Sequence, residues 1–265
     1  MTTFKGKTAI VLGASKRDNM GQVIADRLLK EGATVIVGGR DAAELDRYAA
    51  ASGAIAVACD ITDKADIQKL ADAALSQSGR VDIAVNAAGW GYASPFLDMP
   101  EDALRTIMDI QFKGAFQFLQ VMVGAMQPTG GSIIQISSAT ATIMTYNYAA
   151  YMGTKAGIDH VVRAVANEFG DKGIRVNSIS PGLTETPMTQ GVFKLPAVVD
   201  AFVDCYPLGR IGTSDDIAAA TVWLASDECF MTGENLQVNG GLTLRANPTP
   251  KQRDAAIRDA QRRAG

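Results

Sequence analysis

The residues best suited to chemistry lie between Ser138 and Lys155. Tyr151 and Lys155 are four positions apart, so on a helix they share a face and can act on one group. We expect the Lys155 ammonium to lower the pKa of the Tyr151 phenol, which is otherwise about 10. Ser138 ends an apolar, β-branched run typical of a buried strand. Together these side chains could move a proton to or from a carbonyl or alcohol oxygen.

A glycine-containing loop lies between the first predicted strand, Thr8–Leu12, and a predicted helix, Gln22–Gly32. This order is typical of a dinucleotide site, where backbone N–H groups at the helix start bind a pyrophosphate. Gly13 allows the tight turn, and Gly21 allows the helix and the strand to approach closely. The loop residues predicted to border the cofactor are Gly13, Ser15, Lys16, Arg17, Asn19 and Gly21.

The second predicted strand, Thr34–Val37, ends without the acidic residue that would hold a ribose 2′-hydroxyl. Arg40 can instead bind a 2′-phosphate through two parallel hydrogen bonds, with Lys16 or Arg17 assisting and Gly39 leaving room. The sequence therefore predicts NADP(H) as the preferred cofactor, with NAD(H) as the alternative. The structural alternative is that Arg40 merely begins the next helix on the surface.

Strands and helices alternate along the chain, which favours an α/β fold. We expect a single-domain, doubly wound (Rossmann) parallel sheet with helices on both faces. Further strands are predicted at Ala54–Ala58, Val81–Val85, Ile174–Ile179 and Glu234–Val238, and one ends at Ser138. Further helices are predicted at Asp41–Ser52, Asp63–Ser78, Pro100–Met126, Ala149–Asp171 and Ser214–Ala225. Ligands bind at the carboxyl ends of such strands, so the residues that follow the strands should share one edge: Gly13, Arg40, Asp60, Asn86, Ser138 and Pro181.

In this order the motifs resemble the short-chain dehydrogenase/reductase family, and within it the group that includes 3-oxoacyl-ACP reductases. The likeness runs from about Lys5 to Gly241, and the family's Ser and Tyr-x-x-x-Lys pattern falls on Ser138, Tyr151 and Lys155. The resemblance implies an oxidoreductase that interconverts a carbonyl and a secondary alcohol by hydride transfer to or from a nicotinamide, with Tyr151 as the acid/base. Further cofactor contacts are implied for Tyr151, Lys155, Asp60, Ile61, Asn86, Ala87, Pro181, Gly182, Leu183, Thr184 and Thr186.

Two segments depart from the family pattern. The glycine loop is two residues longer than usual and lacks its middle glycine, a place that Asp18 or Asn19 could take because both tolerate left-handed backbone. Relatives carry an Asn-x-x-Gly motif where this chain has Gln111-Phe-Lys-Gly114. Gln111 has the same donor and acceptor groups one methylene further out. The resemblance therefore implies Gln111 at the fourth catalytic position, with two alternatives: Gln111 rebuilds the proton relay to the lysine with a shifted water, or the relay runs differently.

The substrate is expected to be a small apolar carbonyl or alcohol. Trp90, Met144, Tyr148 and Met188 are the apolar side chains predicted to contact it, beside Ser138. Residues 189–210 resemble the family's mobile substrate cover and belong to a domain spanning residues 1–245. Residues 246–265 form a C-terminal extension, and its Lys251–Arg263 part could be a helix, a frayed tail or a cover for a neighbouring subunit's site.

Composition bounds the function further. The chain has 265 residues, a formal charge of −3, three cysteines and one histidine. A basic stripe for nucleic acid is absent from the sequence, as are an apolar signal region and an apolar run of bilayer length, and we expect neither a metal site nor membrane association. The expected location is cytoplasmic, and the resemblance implies a homotetramer or homodimer.

Two alternatives remain at this stage. Enoyl reductases of the same superfamily have a longer glycine loop and a tyrosine seven residues before the lysine, the position of Tyr148 here. They usually lack the serine and carry Met where Tyr151 stands, which favours carbonyl chemistry. A catalytically silent, NADP-binding scaffold protein is the other alternative, supported by the altered Gln111 and glycine loop.

Overall fold

A computed structural model of the chain describes residues 4–264, and within this range the strands form one parallel sheet. The strands are β1 (Thr8–Leu12), β2 (Thr34–Gly39), β3 (Ile55–Ala58), β4 (Ile83–Asn86), β5 (Gly131–Ile136), β6 (Ile174–Pro181) and β7 (Asn235–Val238). Their order in the sheet is β3-β2-β1-β4-β5-β6-β7. The order reverses direction between β1 and β4, and crevices at such reversals are where doubly wound sheets bind ligands.

Helices cover both faces of the sheet, as the alternating pattern predicts. The helices are α1 (Met20–Lys30), α2 (Ala42–Ser52), α3 (Lys64–Ser78), α4 (Glu101–Met108), α5 (Gly114–Met126), α6 (Ala149–Phe169), α7 (Gln190–Phe193), α8 (Pro196–Val203), α9 (Ser214–Ala225) and α10 (Pro250–Ala264). One apolar cluster lies between the sheet and α3, α5 and α6, and a second lies beneath α1, α2 and α9. The sheet is thus buried on both faces, which confirms the expected fold class.

Local sequence signals explain where the helices begin. Asn19, Asp41 and Asp63 cap α1, α2 and α3 with their side chains, and Thr213 and Asp216 form a capping box at α9. The predicted element boundaries differ from the observed ones by a residue or two at several ends. These ends fray and depend on tertiary contacts that sequence patterns do not contain.

The predicted helix Pro100–Met126 is interrupted in the structure. A π-helical turn over Asp109–Lys113 separates α4 from α5, and Gln111 lies within it. The wider turn changes the direction in which side chains leave the helix, and such turns are frequent at functional sites. Within residues 4–264, none of the helices is both long and apolar enough to cross a membrane.

Candidate active site

A cavity of about 470 Å³ follows the carboxyl edge of the sheet. It extends from the loop after β1 and the end of β2 to the side chains of α6 and the segment after β6. Most of the predicted site residues line it: Gly13, Ser15, Lys16, Asn19, Gly21, Gly39, Arg40, Asp60, Ile61, Ala87, Trp90, Gln111, Ser138, Tyr151, Lys155, Pro181, Gly182, Thr184, Thr186 and Met188. The topology therefore brings distant motifs into one space.

Ser138, Tyr151 and Lys155 share this cavity. Ser138 lies two residues after the end of β5, while Tyr151 and Lys155 come from successive turns of α6. The Lys155 ammonium is buried, lies 5.7 Å from the centre of the Tyr151 ring and donates a 2.7 Å hydrogen bond to the carbonyl oxygen of Ile136. The Ser138 hydroxyl contacts the Thr140 hydroxyl at 2.9 Å. Two adjoining elements thus present a hydroxyl, a phenol and an ammonium to one space.

The acidity of Tyr151 differs from the expectation. Burial raises the pKa of Tyr151, and the interaction with the Ser138 hydroxyl acts in the opposite direction without cancelling that rise. The predicted lowering of the Tyr151 pKa by Lys155 is therefore wrong for this arrangement. Lys155 directs its hydrogen bond to Ile136 rather than to the phenol. At neutral pH the phenol keeps its proton.

Burial also governs Lys155. Its side chain is 4% exposed, and removal from water lowers the pKa of its ammonium to about 8, with the Asp159 carboxylate opposing the shift. A lysine on the surface would hold its proton to a much higher pH. This ammonium therefore titrates only slightly above neutrality.

Gln111 presents an unpaired acceptor to the cavity. Its amide nitrogen donates to the Thr154 hydroxyl at 3.1 Å, but its carbonyl oxygen is buried without a hydrogen-bond partner among residues 4–264. A Cβ atom placed on Gly89 would lie 3.3 Å from that oxygen and 4.0 Å from the Lys155 nitrogen. The Gln111 oxygen and the Lys155 nitrogen therefore lie on either side of the space next to Gly89. A buried acceptor normally has a partner, so this oxygen is set to receive one from a water or a bound molecule.

The lengthened glycine loop resolves the choice between Asp18 and Asn19. Asp18 adopts the left-handed conformation, with a φ of 55°, and so takes the place of the missing glycine. Asn19 instead caps α1, accepting from the Gln22 backbone N–H at 3.0 Å and donating to the Gly13 carbonyl at 2.7 Å. Hydrogen bonds of the Asn19 side chain thus hold this loop against the start of α1, although the usual spacing of glycines is absent.

Two cations line the cavity near its β1–β2 end. They are Arg40, which follows β2, and Lys16, in the loop after β1, and both are exposed. Arg17 is not among the residues of the cavity wall, and its guanidinium lies 3.8 Å from the Asp18 carboxylate. A Cβ on Gly39 would lie 2.5 Å from the Ser15 hydroxyl oxygen. Gly39 therefore makes room for the loop after β1, in addition to any ligand.

Other predicted residues lie behind or beside the wall. Asn86 is buried, donates to the Gln135 side-chain oxygen at 2.9 Å and accepts from the Ala88 backbone N–H, so it braces β4 against β5. The Leu183 carbonyl accepts from the Tyr206 hydroxyl. Met144 is 66% exposed, and the Tyr148 ring packs edge-on against Tyr151 with 6.1 Å between centroids.

Several wall residues were missed by sequence reasoning: Leu12, Met20, Cys59, Ala88, Gly89, Gly91, Ile110, Ile136, Ser137, Pro187 and Thr189. Each lies close in the chain to a predicted motif, and this closeness was the one signal in the sequence that could have indicated a place in the cavity wall. The side chain of a strand residue points to one of two faces, and sequence proximity alone does not select the face.

The C-terminal extension returns to the cavity rim of its own chain. The Asn247 side chain donates to the Met144 carbonyl at 3.1 Å, and the Arg245 guanidinium donates to the Asp204 carbonyl at 2.8 Å. Beyond them, α10 packs against α8 in the segment of residues 189–210. Of the three alternatives left open by the sequence, the helix is confirmed, since Pro250–Ala264 forms α10.

Comparison with known proteins agrees with this fold and site. A family model described as Enoyl-(Acyl carrier protein) reductase matches residues 13–243. The chain is 35% identical over 250 residues to 3beta-hydroxysteroid dehydrogenase 1 of Eggerthella lenta, covering 91% of this chain and 95% of that protein. It is 34% identical over 245 residues to the 3-oxoacyl-[acyl-carrier-protein] reductase FabG of Salmonella typhimurium, covering 91% and 98%.

Solved structures lead to the same family. A short-chain type dehydrogenase/reductase from Mycobacterium ulcerans superposes with a TM-score of 0.88 at 30% identity, covering 98% of each chain. The 3-ketoacyl-(acyl-carrier-protein) reductase from Brucella melitensis, solved in complex with NADH, has a TM-score of 0.83 at 31% identity, covering 91% of this chain and all of that one. The chain therefore belongs to the short-chain dehydrogenase/reductase family and is an oxidoreductase.

Proposed function

We propose that the protein is an NADP(H)-dependent oxidoreductase that interconverts a carbonyl and a secondary alcohol. The observation that carries this proposal is the common cavity of Ser138, Tyr151 and Lys155 at the carboxyl edge of the sheet. Related proteins named as a hydroxysteroid dehydrogenase and a 3-oxoacyl reductase support the reaction class. Their names also guide the choice of trial substrates, which are alicyclic ketones and 3-oxoacyl thioesters.

The residues present fit a nicotinamide dinucleotide. The loop after β1 offers backbone N–H groups at the start of α1, the environment that binds a pyrophosphate. The unpaired Gln111 oxygen and the buried Lys155 ammonium supply a polar pocket at the other end of the cavity. Arg40 and Lys16 would hold a 2′-phosphate, which is the basis for proposing NADP(H) over NAD(H).

The side chains divide the chemistry between them. A bound nicotinamide supplies or accepts the hydride. Ser138 orients and polarises the substrate oxygen, and Tyr151 exchanges a proton with that oxygen. Burial raises the pKa of the Tyr151 phenol, so the phenol carries the proton that reduction would transfer to the substrate oxygen and that oxidation would return. Lys155 provides positive charge behind the phenol, and Gln111 can hold a water between Lys155 and the solvent.

Replacement of the phenol hydroxyl tests the reaction. We expect Tyr151→Phe to bind NADPH with unchanged affinity and to lose turnover by more than about 100-fold, because a positioned acid/base contributes at least that factor. NADPH fluorescence titration measures the first quantity, and NADPH oxidation with a panel of ketones measures the second. Tyr148→Phe is the matched control, since it removes a nearby hydroxyl outside the cavity wall. Unchanged turnover in Tyr151→Phe contradicts the proposal.

The cofactor preference has its own test. Arg40→Gln removes the guanidinium, and we expect NADPH affinity to fall by about 10- to 100-fold with little effect on NADH, the range for a charge-assisted hydrogen bond. Arg17→Gln is the matched control, because its side chain lies outside the wall. Equal losses for NADPH and NADH in Arg40→Gln would show that Arg40 does not read a 2′-phosphate.

Enoyl reduction is the second candidate function, favoured by Tyr148 seven residues before Lys155 and by the description of the matching family model. The geometry opposes it, because Tyr151 lines the cavity with Ser138 whereas Tyr148 packs behind Tyr151. NADPH oxidation with an enoyl thioester faster than with any ketone would favour this second function. Cofactor binding without turnover on either class would indicate a silent scaffold.

We also propose a homotetramer, with a homodimer as the alternative, in the cytoplasm. Exposed apolar side chains support association, since Phe230 is fully exposed and Leu244 and Leu208 are 83% and 74% exposed. Light scattering coupled to size-exclusion chromatography determines the subunit number. A monomer at micromolar concentration would refute this part of the proposal.

A further inference from the structure

A largely buried carboxylate lies one helical turn beyond Lys155, and the proposed reaction gives it no role. Asp159 is four residues after Lys155 on α6, so both side chains share one face of the helix. Three neutral donors hold its carboxylate: the hydroxyls of Ser137 and Ser178, each at 2.7 Å, and the amide of Asn235 at 2.6 Å. Ser137 directly follows β5, while Ser178 and Asn235 lie in β6 and β7, so the carboxylate links three neighbouring strands to α6.

The three donors that hold the Asp159 carboxylate are all neutral, so they satisfy its oxygens but leave its charge unbalanced. Burying a carboxylate costs free energy that hydrogen bonds recover only in part, and burial raises the pKa of Asp159 against the effect of all three donors. The feature left to explain is therefore the positive group that balances this charge.

Lys155 is the group that such a charge can act on. Within residues 4–264, no carboxylate lies within 4 Å of the Lys155 nitrogen, and its one hydrogen bond goes to the Ile136 carbonyl. The titratable groups of α6 one turn on either side of it are Tyr151 and Asp159. The π-helical turn also carries Asp109 and Lys113, whose charges pair with each other at 3.7 Å. The groups next to the ammonium from β5 and from the loop after β4 are neutral, namely the Ile136 carbonyl and Gly89. His160, which follows Asp159, is exposed on the other side of the helix. A carboxylate at one turn favours the ammonium form across a low-dielectric interior.

Asp159 also reaches the other catalytic element. It accepts a hydrogen bond from Ser137, and Ser137 directly precedes Ser138 in the chain. The backbone N–H of Ser137 donates to the Ile179 carbonyl at 2.7 Å, which holds the end of β5 against β6. One side chain is thus linked to both the lysine and the strand end that carries the serine.

We propose that Asp159 is a positioning residue that keeps Lys155 in its ammonium form and fixes the end of β5 behind Ser138. The carboxylate touches neither substrate nor cofactor and acts through these two residues. The inference rests on the proposed function only in assigning Lys155 a catalytic role. The electrostatic part stands on the arrangement of α6 and the three strand donors.

Titration of Lys155 tests the inference without any substrate. The protein is labelled with nitrogen-15 lysine, the Lys155 side-chain signal is assigned by its loss in Lys155→Arg, and its midpoint is followed by NMR in the wild type and in Asp159→Asn. Removal of the carboxylate should move the midpoint down by about half to one pH unit. Ser178→Ala, which removes one donor but keeps the charge, is the matched control and should leave the midpoint in place.

The same variants give a kinetic result with a defined sign. The ammonium is lost as pH rises through the pKa of Lys155, so activity should fall at a lower pH in Asp159→Asn than in the wild type. A folded Asp159→Asn with an unshifted Lys155 midpoint overturns the inference, as does an equal shift in Ser178→Ala. If Asp159→Asn does not fold, Asp159→Ser removes the charge with less bulk and gives the same comparison. Because the NMR titration needs no turnover, its failure is distinct from failure of the proposed reaction.

Discussion

The cavity is bounded by two regions that are held in place in different ways. The first, which we name the strand-end wall, comprises the carboxyl ends of β1, β4 and β5 together with α6. Its side chains are buried and paired, as for Lys155 and Asn86, which are 4% and 1% exposed. The second is the segment proposed as the substrate cover, residues 189–210 with α7 and α8, where Leu195 and Leu208 are 51% and 74% exposed. We propose that the reaction takes place on the first region and that substrate enters past the second.

This division has a physical basis. Catalytic groups must be held close to their productive geometry, which dense packing and hydrogen bonds to the sheet achieve. A cover must open for substrate, and segments that open are drawn from the less stable parts of a fold. If the division is correct, identical substitutions should have different effects in the two regions. The following predictions use such pairs wherever the chain offers them.

The largest contrast should come from adding one methyl group to a glycine in each region. At Gly13 a Cβ would lie 2.6 Å from the Ala87 backbone, and φ is 104°, which strains any other residue. We expect Gly13→Ala to destabilise the protein by about 3 kcal/mol or more, from overpacking and strain together. Gly191 in the cover has nothing within 4 Å of its Cβ position, so Gly191→Ala should stabilise its helix by about 0.5 to 1 kcal/mol.

Thermal and denaturant unfolding measure both glycine variants. The midpoint of Gly13→Ala should fall by at least about 6 °C, at roughly 2 to 4 °C per kcal/mol for a chain of this size. Equal unfolding midpoints for the two variants would mean that the strand-end wall accommodates an added methyl group as easily as the cover does. The proposed difference in rigidity between the two regions would then be wrong.

Removal of a buried charge should separate stability from activity. The pKa of Lys155 is about 8 in the folded protein, against 10.5 for a free lysine, so the unfolded chain binds more protons between these values. Stability should therefore rise with pH from about 8 to 10.5, as the buried ammonium is neutralised. Lys155→Met should gain about 1 to 2 kcal/mol at pH 7 and lose activity. This gain should shrink above pH 8.

Lys194→Met is the control for the charge, because Lys194 is exposed in the cover. Its effect on the free energy of unfolding should stay within about 0.5 kcal/mol at every pH. Urea unfolding at pH 7 and pH 10 measures both variants. A Lys155→Met protein less stable than the wild type at pH 7 would show that the ammonium contributes more through Ile136 and Asp159 than its burial costs.

The C-terminal extension should control the cover without changing the wall. Within the extension, the Asn247 side chain donates to the Met144 carbonyl and α10 packs on α8. Deletion of residues 246–265 should speed tryptic cleavage after Lys194 by about fivefold, the factor for a local loss of about 1 kcal/mol. NADPH affinity should remain unchanged. Asp254→Ala, an exposed change within α10, is the control, and unaltered cleavage in the deletion variant would separate the extension from the cover.

The sequence contains much of this architecture because its signals are local. Alternating apolar runs predict the parallel sheet, and residues such as Asp41, Asp63 and Thr213 mark helix starts by their own side-chain chemistry. The carboxyl ends of parallel strands share one edge of the sheet, which is why Ser138, after β5, lies near Tyr151 at the start of α6. Element order and the location of the site are therefore accessible before any coordinates.

The features that could not be predicted from the sequence depend on burial and on packing between distant segments. The direction of the Tyr151 pKa is set by burial, which outweighs the interaction with Ser138, and spacing alone does not reveal this. The close approach of Gly39 to Ser15 brings the end of β2 against the loop after β1. The π-helical turn around Gln111 has no clear local signal in the sequence. Whether α10 covers its own chain or a neighbour is likewise a tertiary fact.

The smallest predicted effects concern two non-glycine residues that have left-handed backbone within residues 4–264, Asp18 with a φ of 55° and Asn147 with a φ of 66°. Glycine at either position relieves strain but adds freedom to the unfolded chain, so each change in the free energy of unfolding should be within about 0.5 kcal/mol.

The functional effects of these two substitutions should differ. Asp18 belongs to a loop fixed by Asn19 and Gln22, so Asp18→Gly should leave NADPH affinity unchanged. Asn147→Gly should raise the KM for the substrate about twofold, because the added backbone freedom loosens the segment before Tyr151. Isothermal titration and steady-state kinetics measure the pair, and a loss of NADPH affinity in Asp18→Gly would place the glycine loop with the mobile region.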